Sequence, residues 1–158
     1  MKILIASLAL AFSLSATAGT IKGRIVSIAD GDTVTILDTT NKQTKIRLMG
    51  IDAPEKKQAF GARSKQSLSD LVFNKQVTVD FSKQDKYGRT IGKILVNGLD
   101  ANLEQVKTGM AWHYKQYAKE QTASDRAAYA EAETLARAEK RGLWVDSEPM
   151  PPWEWRHR

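Results

Sequence analysis

Five stretches rich in β-branched residues, broken after the third by one stretch of helical periodicity and followed by two more helical stretches, predict an α+β chain: a five-stranded OB-fold β-barrel with three α-helices. The length of 158 residues suits one core and one active site rather than two domains. No cysteine is present, so stability must come from packing or from a bound ligand, and redox chemistry and thiolate metal sites are excluded.

Taken in order, Ile21 to Met49 is rich in Val, Ile and Thr with partly alternating apolar residues, which predicts strands near 21–28, 32–38 and 43–49. Asp30-Gly31 and Thr40-Asn41 supply the turns between them. After Pro54 the period changes: Phe60, Ser64, Ser67, Leu68 and Leu71 recur at helical spacing, predicting a helix near 61–73 that stops at Asn74. Gln76 to Phe81 and Thr90 to Val96 read as the fourth and fifth strands, separated by the polar loop Ser82 to Arg89 and followed by the turn Asn97-Gly98. A short helix near 100–108 ends at Gly109. A longer one is expected from Ser124, as N-cap, to Arg141, with Gly142 at its end. Ala128, Ala132 and Leu135 would form its buried face, and Glu133 with Arg137 an i,i+4 pair.

Residues 1–18 combine a charged start at Lys2, an apolar run from Ile3 to Leu14 and the small-residue exit Ala16-Thr17-Ala18, the pattern of a cleaved signal peptide. The run is shorter than the roughly 20 apolar residues of a membrane span. The expectation is therefore a secreted or periplasmic protein with no membrane anchor after cleavage, a domain over 19–145 and a tail over 146–158. Three of the four prolines lie in the tail from Ser147 to Arg158, which is expected to lack regular structure while Trp153 and Trp155 pack back onto the domain. The formal charge of +6 favours polyanionic partners, because Lys and Arg that neutralise phosphates release counterions.

Three short blocks carry the chemistry: Asp30-Gly31-Asp32-Thr33, Arg47-Leu48-Met49-Gly50-Ile51-Asp52-Ala53-Pro54-Glu55, and Asp85-Lys86-Tyr87-Gly88-Arg89. Singly, each has a structural explanation as a turn, a capping box or a charged loop. Jointly they supply what phosphodiester hydrolysis needs: a cation clamp, a group that positions or deprotonates water, and donors for charge developing on phosphorus. Asp32 and Asp52 offer hard carboxylate oxygens suited to calcium or magnesium. Glu55 lies three residues from Asp52 and can hold water. Arg47 and Arg89 are fork-shaped donors matched to phosphate oxygens.

These blocks, in this order and with the helix between them, resemble the thermonuclease (staphylococcal nuclease-like) family over roughly residues 20 to 145. The resemblance implies an OB-fold barrel with three helices and calcium-dependent hydrolysis of DNA and RNA that leaves 3′-phosphates. It implies that Asp32, Asp52 and the backbone carbonyl of Ala53 hold Ca2+, and that Glu55 activates or orients the attacking water. Arg47 and Arg89 would grip the phosphate. Tyr87 would lie at the nucleotide pocket, Tyr117 would meet a phosphate, and Asp30 would support the metal site from behind. Two departures are visible: position 53 is Ala where the family's best-known member has Thr, and the stretch from Lys56 to Gly61 is shorter than its lysine-rich loop. The first preserves the carbonyl ligand. The second means that substrate preference and loop dynamics are not carried over.

Two other readings compete. Asp32 with Glu55-Lys56-Lys57 satisfies the acid and Glu-x-Lys pattern of a different nuclease class, but that chemistry expects Glu-x-Lys on a strand and Pro54 places it at a turn. A catalytically inactive OB-fold nucleic-acid-binding protein would share the basic, aromatic surface. His113 and His157 lack the partners of histidine-based nucleases, and Trp112 with Tyr114 reads as packing rather than as a base platform. A single domain with a complete site has no need of a partner, so a monomer is expected.

Overall fold

The computed structural model describes residues 18–158; the expected leader lies outside the described residues except for Ala18. The strands are β1 (Gly19–Asp30), β2 (Thr33–Asp38), β3 (Gln43–Leu48), β4 (Ile51–Asp52), β5 (Gln76–Gln84), β6 (Thr90–Val96), β7 (Leu99–Asp100) and β8 (Trp112–His113). The helices are α1 (Gly61–Val72), α2 (Ala101–Lys107), α3 (Ala123–Ala138) and α4 (Pro152–Trp155). Two 3₁₀ segments, Lys115–Glu120 and Gly142–Val145, join the last three elements.

Long β1 pairs antiparallel with β5 through its first half and with β2 through its second. The order β3-β2-β1-β5-β6 then closes on itself, because β3 and β6 pair in parallel through Ile46, Arg47 and Leu48. Closure leaves no long unpaired edge among the five strands. The inward residues are the β-branched ones whose alternation predicted the strands: Ile25, Val34, Ile36, Ile46, Val79 and Ile94 are all buried. Leu68 and Val72 of α1, Val106 of α2 and Tyr129 of α3 cover the same core.

All five predicted strands and all three predicted helices are present, with boundary corrections that have physical reasons. The N-cap of α3 is Thr122, two residues before Ser124: its hydroxyl accepts the Asp125 N–H at 3.1 Å. The helix ends at Ala138 rather than at Arg141, because Lys140 adopts a left-handed φ of 51° that no helix can continue. Gly142 instead opens the following 3₁₀ turn. Leu135 is 48% exposed, so the buried face of α3 is Tyr129, Ala132, Glu133 and Ala136. Glu133 does pair with Arg137, at 3.1 Å.

The tail is also corrected: Pro152 to Trp155 form one helical turn, started by the proline at its first position. Trp153 packs back as expected, stacked on Tyr114 at a centroid distance of 5.4 Å and edge-on to Trp112. It joins a second apolar cluster of Trp112, Ala136, Leu143 and Trp144. Among the described residues no helix is long and apolar enough to cross a membrane.

Candidate active site

Asp32 is placed by the tight turn between β1 and β2. Register shifts in β1 after Ile25 and Ile28 bend the strand just before that turn. Gly31 lies so close to α1 that a Cβ there would overlap the Ser64 hydroxyl and the Ala53 methyl, so only glycine lets the turn settle on the helix. Asp32 then receives the Ala53 N–H on Oδ2 at 2.7 Å and the Thr33 hydroxyl on Oδ1 at 3.1 Å. Asp52 comes from the opposite direction, on the two-residue strand β4, which pairs with Trp112 and His113 of β8. The turn that leads into β4 is made possible by Gly50 at a φ of 78°.

Arg47, opposite Thr33 on β3, joins the two acids. One nitrogen, Nη2, is 3.1 Å from Asp52 Oδ1 and 3.3 Å from Asp32 Oδ2. The other, Nη1, donates to the carbonyls of Leu48 and Ile51 at 2.7 and 2.8 Å and so fixes the β3–β4 turn. Both carboxylates are buried, with Asp52 only 1% exposed, and buried charge persists only where it is compensated.

Compensation is incomplete. Burial drives the Asp52 carboxyl upward, and the guanidinium groups of Arg156 and Arg47 offset only part of that rise. Asp30, whose Oδ1 accepts the Asp32 N–H at 3.1 Å, is pushed up to about 6, by burial first and by the Asp32 carboxylate second. Asp30 and Asp52 are thus raised chiefly by burial despite the nearby arginines, and with Asp32 they gather three carboxyl groups in one place. Asp32, Asp52 and the Ala53 carbonyl therefore suit an oxygen-bound divalent cation such as Ca2+. Among the described residues no group of three or more His, Cys, Asp or Glu side chains is arranged to hold a metal. An ion here would complete its shell with the carbonyl, water and substrate.

Glu55 lies in the turn after β4, its N–H donating to Gln58 Oε1 at 3.0 Å. That placement departs from the strand the Glu-x-Lys class requires, since Glu55 to Lys57 follow β4 in coil and turn. Arg156, which the sequence reading assigned no role, connects Glu55 to the acids. Its Nη1 donates to Glu55 Oε1 at 2.7 Å and to Asp52 Oδ1 at 3.2 Å, and its Nη2 donates to Asp52 Oδ2 at 2.9 Å.

Arg89 and Tyr87 line the same cleft from the loop between β5 and β6. The loop from Asp85 to Arg89 is organised by Asp85, whose Oδ1 accepts the N–H groups of Tyr87 and Arg89 and whose Oδ2 accepts Arg89 Nε at 2.7 Å. Partial burial alone would raise Asp85, but these hydrogen bonds more than offset it and hold its carboxyl below the usual range. Clamped through Nε, Arg89 leaves both Nη groups without a protein partner among the described residues. The Tyr87 ring is 72% exposed and lies within cation–π range of Lys86 and Arg89.

All eight residues singled out from the sequence, Asp32, Arg47, Asp52, Ala53, Glu55, Tyr87, Arg89 and Tyr117, line one open cleft of about 1180 Å³. Asp30 lies there too. Tyr117 is half exposed on the rim, edge-on to Tyr114 at 4.9 Å, and Tyr114 stacks on Trp153. Trp112 is buried packing, as expected, whereas Tyr114 and Trp153 also line the cleft. His113 is buried against Gln121, Nε2 to Oε1 at 2.8 Å. The residues missed were Arg156, Tyr114 and Trp153. The dense aromatic and basic run Trp153-Glu154-Trp155-Arg156 was the one available signal for two of them.

Comparison with known proteins gives the same picture. The family described as staphylococcal nuclease homologue matches residues 45–146. An "Uncharacterized endonuclease" of Haemophilus influenzae is 44% identical over 99% of this chain and 86% of its own length. Another of the same description from Escherichia coli O157:H7 is 41% identical over 93% of this chain and 92% of its own. A "Micrococcal nuclease" of Shigella flexneri is 41% identical over 85% and 80% respectively.

Proposed function

The chain belongs to the staphylococcal nuclease homologue family and is a nuclease of the hydrolase class; from that premise we propose that it is an exported, calcium-dependent, monomeric enzyme that cleaves DNA and RNA and leaves 3′-phosphates. The observation that carries this reading is the sharing of Arg47 Nη2 between the buried acids Asp32 and Asp52, within a cleft that also holds Glu55 and Arg89.

In this reading Asp32, Asp52 and the Ala53 carbonyl hold calcium, which supplies positive charge at the scissile phosphate. Glu55 holds the attacking water and accepts its proton as the oxygen–phosphorus bond forms. Arg47 and the free Nη groups of Arg89 donate to the phosphoryl oxygens as negative charge accumulates on them. The departing sugar oxygen leaves opposite the attacking water and takes its proton from solvent, to which Glu55 releases the proton it accepted. Tyr87 and Tyr117, exposed in the cleft, provide faces on which bases stack. Export is supported by the leader pattern of residues 1–18.

The deciding experiment digests single-stranded DNA, duplex DNA and RNA with calcium or magnesium and analyses the product ends. Calcium-stimulated cleavage to 3′-phosphates, abolished by a chelator, is expected; products bearing 5′-phosphates overturn the proposed bond cleavage. Lys57→Ala in the same assay is expected to change the rate by less than about threefold, as for an exposed surface charge. Near-total loss would favour the Glu-x-Lys class.

A further inference from the structure

Arg156 lies outside the region matched by the family and outside every block that identified the site, yet it makes three hydrogen bonds within it. The Glu55 carboxylate has no other protein partner among the described residues. Without Arg156, a side chain with three free torsions and about a third of its surface exposed would have nothing to fix its direction. A guanidinium fork bound to both oxygens of nearly inaccessible Asp52 is, by contrast, a rigid mount.

The segment that delivers Arg156 is itself anchored. Gln58 accepts the Glu55 N–H on Oε1 and donates through Nε2 to the Met150 carbonyl at 2.7 Å, so one amide ties the Glu55 turn to the C-terminal strap. Pro152 is buried, Trp153 stacks on Tyr114 with the rings 8° from parallel, and Arg156 follows as the C-cap of α4. The strap is therefore tied to the domain at Met150, Pro152 and Trp153, just before Arg156.

We propose that Arg156 is a positioning residue for phosphodiester hydrolysis: carried by the strap, it holds the Glu55 carboxylate beside Asp52 and so aims the group that handles the attacking water. The inference rests on the role given to Glu55 above. Arg156 engages both oxygens of Asp52 and so shares that acid with any ion, while Asp32 Oδ1 and the Ala53 carbonyl are not among its contacts. Among the described residues, the three carboxylates Asp32, Asp52 and Glu55 pair with two guanidinium groups, those of Arg47 and Arg156, which leaves negative charge for a divalent ion to balance.

The test uses the full chain with Arg156→Ala, Arg156→Lys, Glu55→Gln and the Arg156→Ala/Glu55→Gln double variant. It measures kcat and KM on single-stranded DNA, calcium affinity by titration without substrate, and melting temperature. For Arg156→Ala, kcat is expected to fall roughly 100-fold, the scale of a misplaced general base. KM should change little, and calcium affinity should be unchanged or tighter because a competing cation has left Asp52. Arg156→Lys should recover part of the rate, and millimolar guanidinium ion should raise the rate of Arg156→Ala but not of the wild type. The double variant should be no slower than Glu55→Gln alone. An undiminished or faster Arg156→Ala enzyme would mean that the strap only obstructs the cleft, and would overturn the proposal. So would a slower enzyme that also binds calcium less tightly, melts lower and ignores guanidinium. If Glu55→Gln itself keeps full activity, it is the role of Glu55 that fails; if Glu55→Gln is inactive while Arg156→Ala is not, only the role of Arg156 fails.

Discussion

The turn Asp30-Gly31-Asp32 separates two buried polar regions of opposite character. Behind it, every group is neutral and satisfied at short range: Gln105 donates to the carbonyls of Gly31 and Ser64 at 2.9 and 3.0 Å and accepts the Ser67 hydroxyl at 2.6 Å. Beside it Asn102 joins Ile94, Met49 and Gly92. In front of it, the groups are charged, and Asp32 and Asp52 are balanced by arginines that arrive from β3 and from the far end of the chain. The neutral network fixes loops; the charged one gathers acids and guanidinium groups in an open cleft, which the proposed function assigns to a metal and a phosphate. One polar cluster is finished by folding, and the other waits for substrate.

The largest expected break in this contrast comes from Arg47→Ala. The substitution removes what in the proposed mechanism is a donor to developing charge on the phosphoryl oxygens, so it should lower kcat roughly 1000-fold. It also leaves Asp32 and Asp52 facing each other, so melting temperature should fall without calcium and recover with it while the rate does not. Recovery of rate with calcium would make Arg47 a charge balancer only. The converse variant is Gln105→Ala, which removes the donor to the Gly31 and Ser64 carbonyls and the acceptor of the Ser67 hydroxyl behind the turn. It should cost about 3 kcal/mol in denaturant unfolding, while activity per folded molecule stays within about twofold of wild type. A Gln105→Ala enzyme that is stable but slow would show that the two regions are not separable.

How much of this was legible in the sequence follows the same division. Strands were readable because Ile, Val and Thr alternate with polar residues, and α1 because Ser64 and Leu68 recur at the right spacing. The site blocks were readable because Asp32, Arg47, Asp52, Glu55 and Arg89 each sit in or beside a turn or strand end that the local pattern already marked. What was not readable depends on distant partners. Arg156 meets Glu55 across 101 positions, and no periodicity encodes that. Leu135 looked like a core residue until Glu133, held by the His113 N–H at 2.7 Å, took its place on the buried face. Thr122 and Ser124 are equally good caps by chemistry, and only the entry angle of the chain decides between them.

A carboxylate outside the cleft sharpens the comparison with the smallest effect. Asp100 caps α2 by accepting the Leu103 N–H at 3.0 Å, and it receives the Tyr129 hydroxyl on both oxygens. Burial raises its carboxyl above the ordinary value of 3.8, and the neighbouring ion pair contributes opposite effects, Lys93 lowering it and Asp125 raising it. An acid raised on folding holds its proton more tightly in the folded chain. Its contribution to stability is therefore complete below 3.8 and is lost as pH rises through the raised value. Asp100→Asn keeps a cap acceptor and a partner for Tyr129 but cannot titrate. Relative to wild type, the variant should thus gain stability as pH rises from about the ordinary carboxyl value of 3.8 through the raised one, in thermal unfolding, with cleavage unchanged throughout. Parallel stability curves for the two proteins would mean that the desolvation of Asp100 is fully compensated. The structural region would then carry no titrating charge at this position, and the contrast with the cleft would be sharper still.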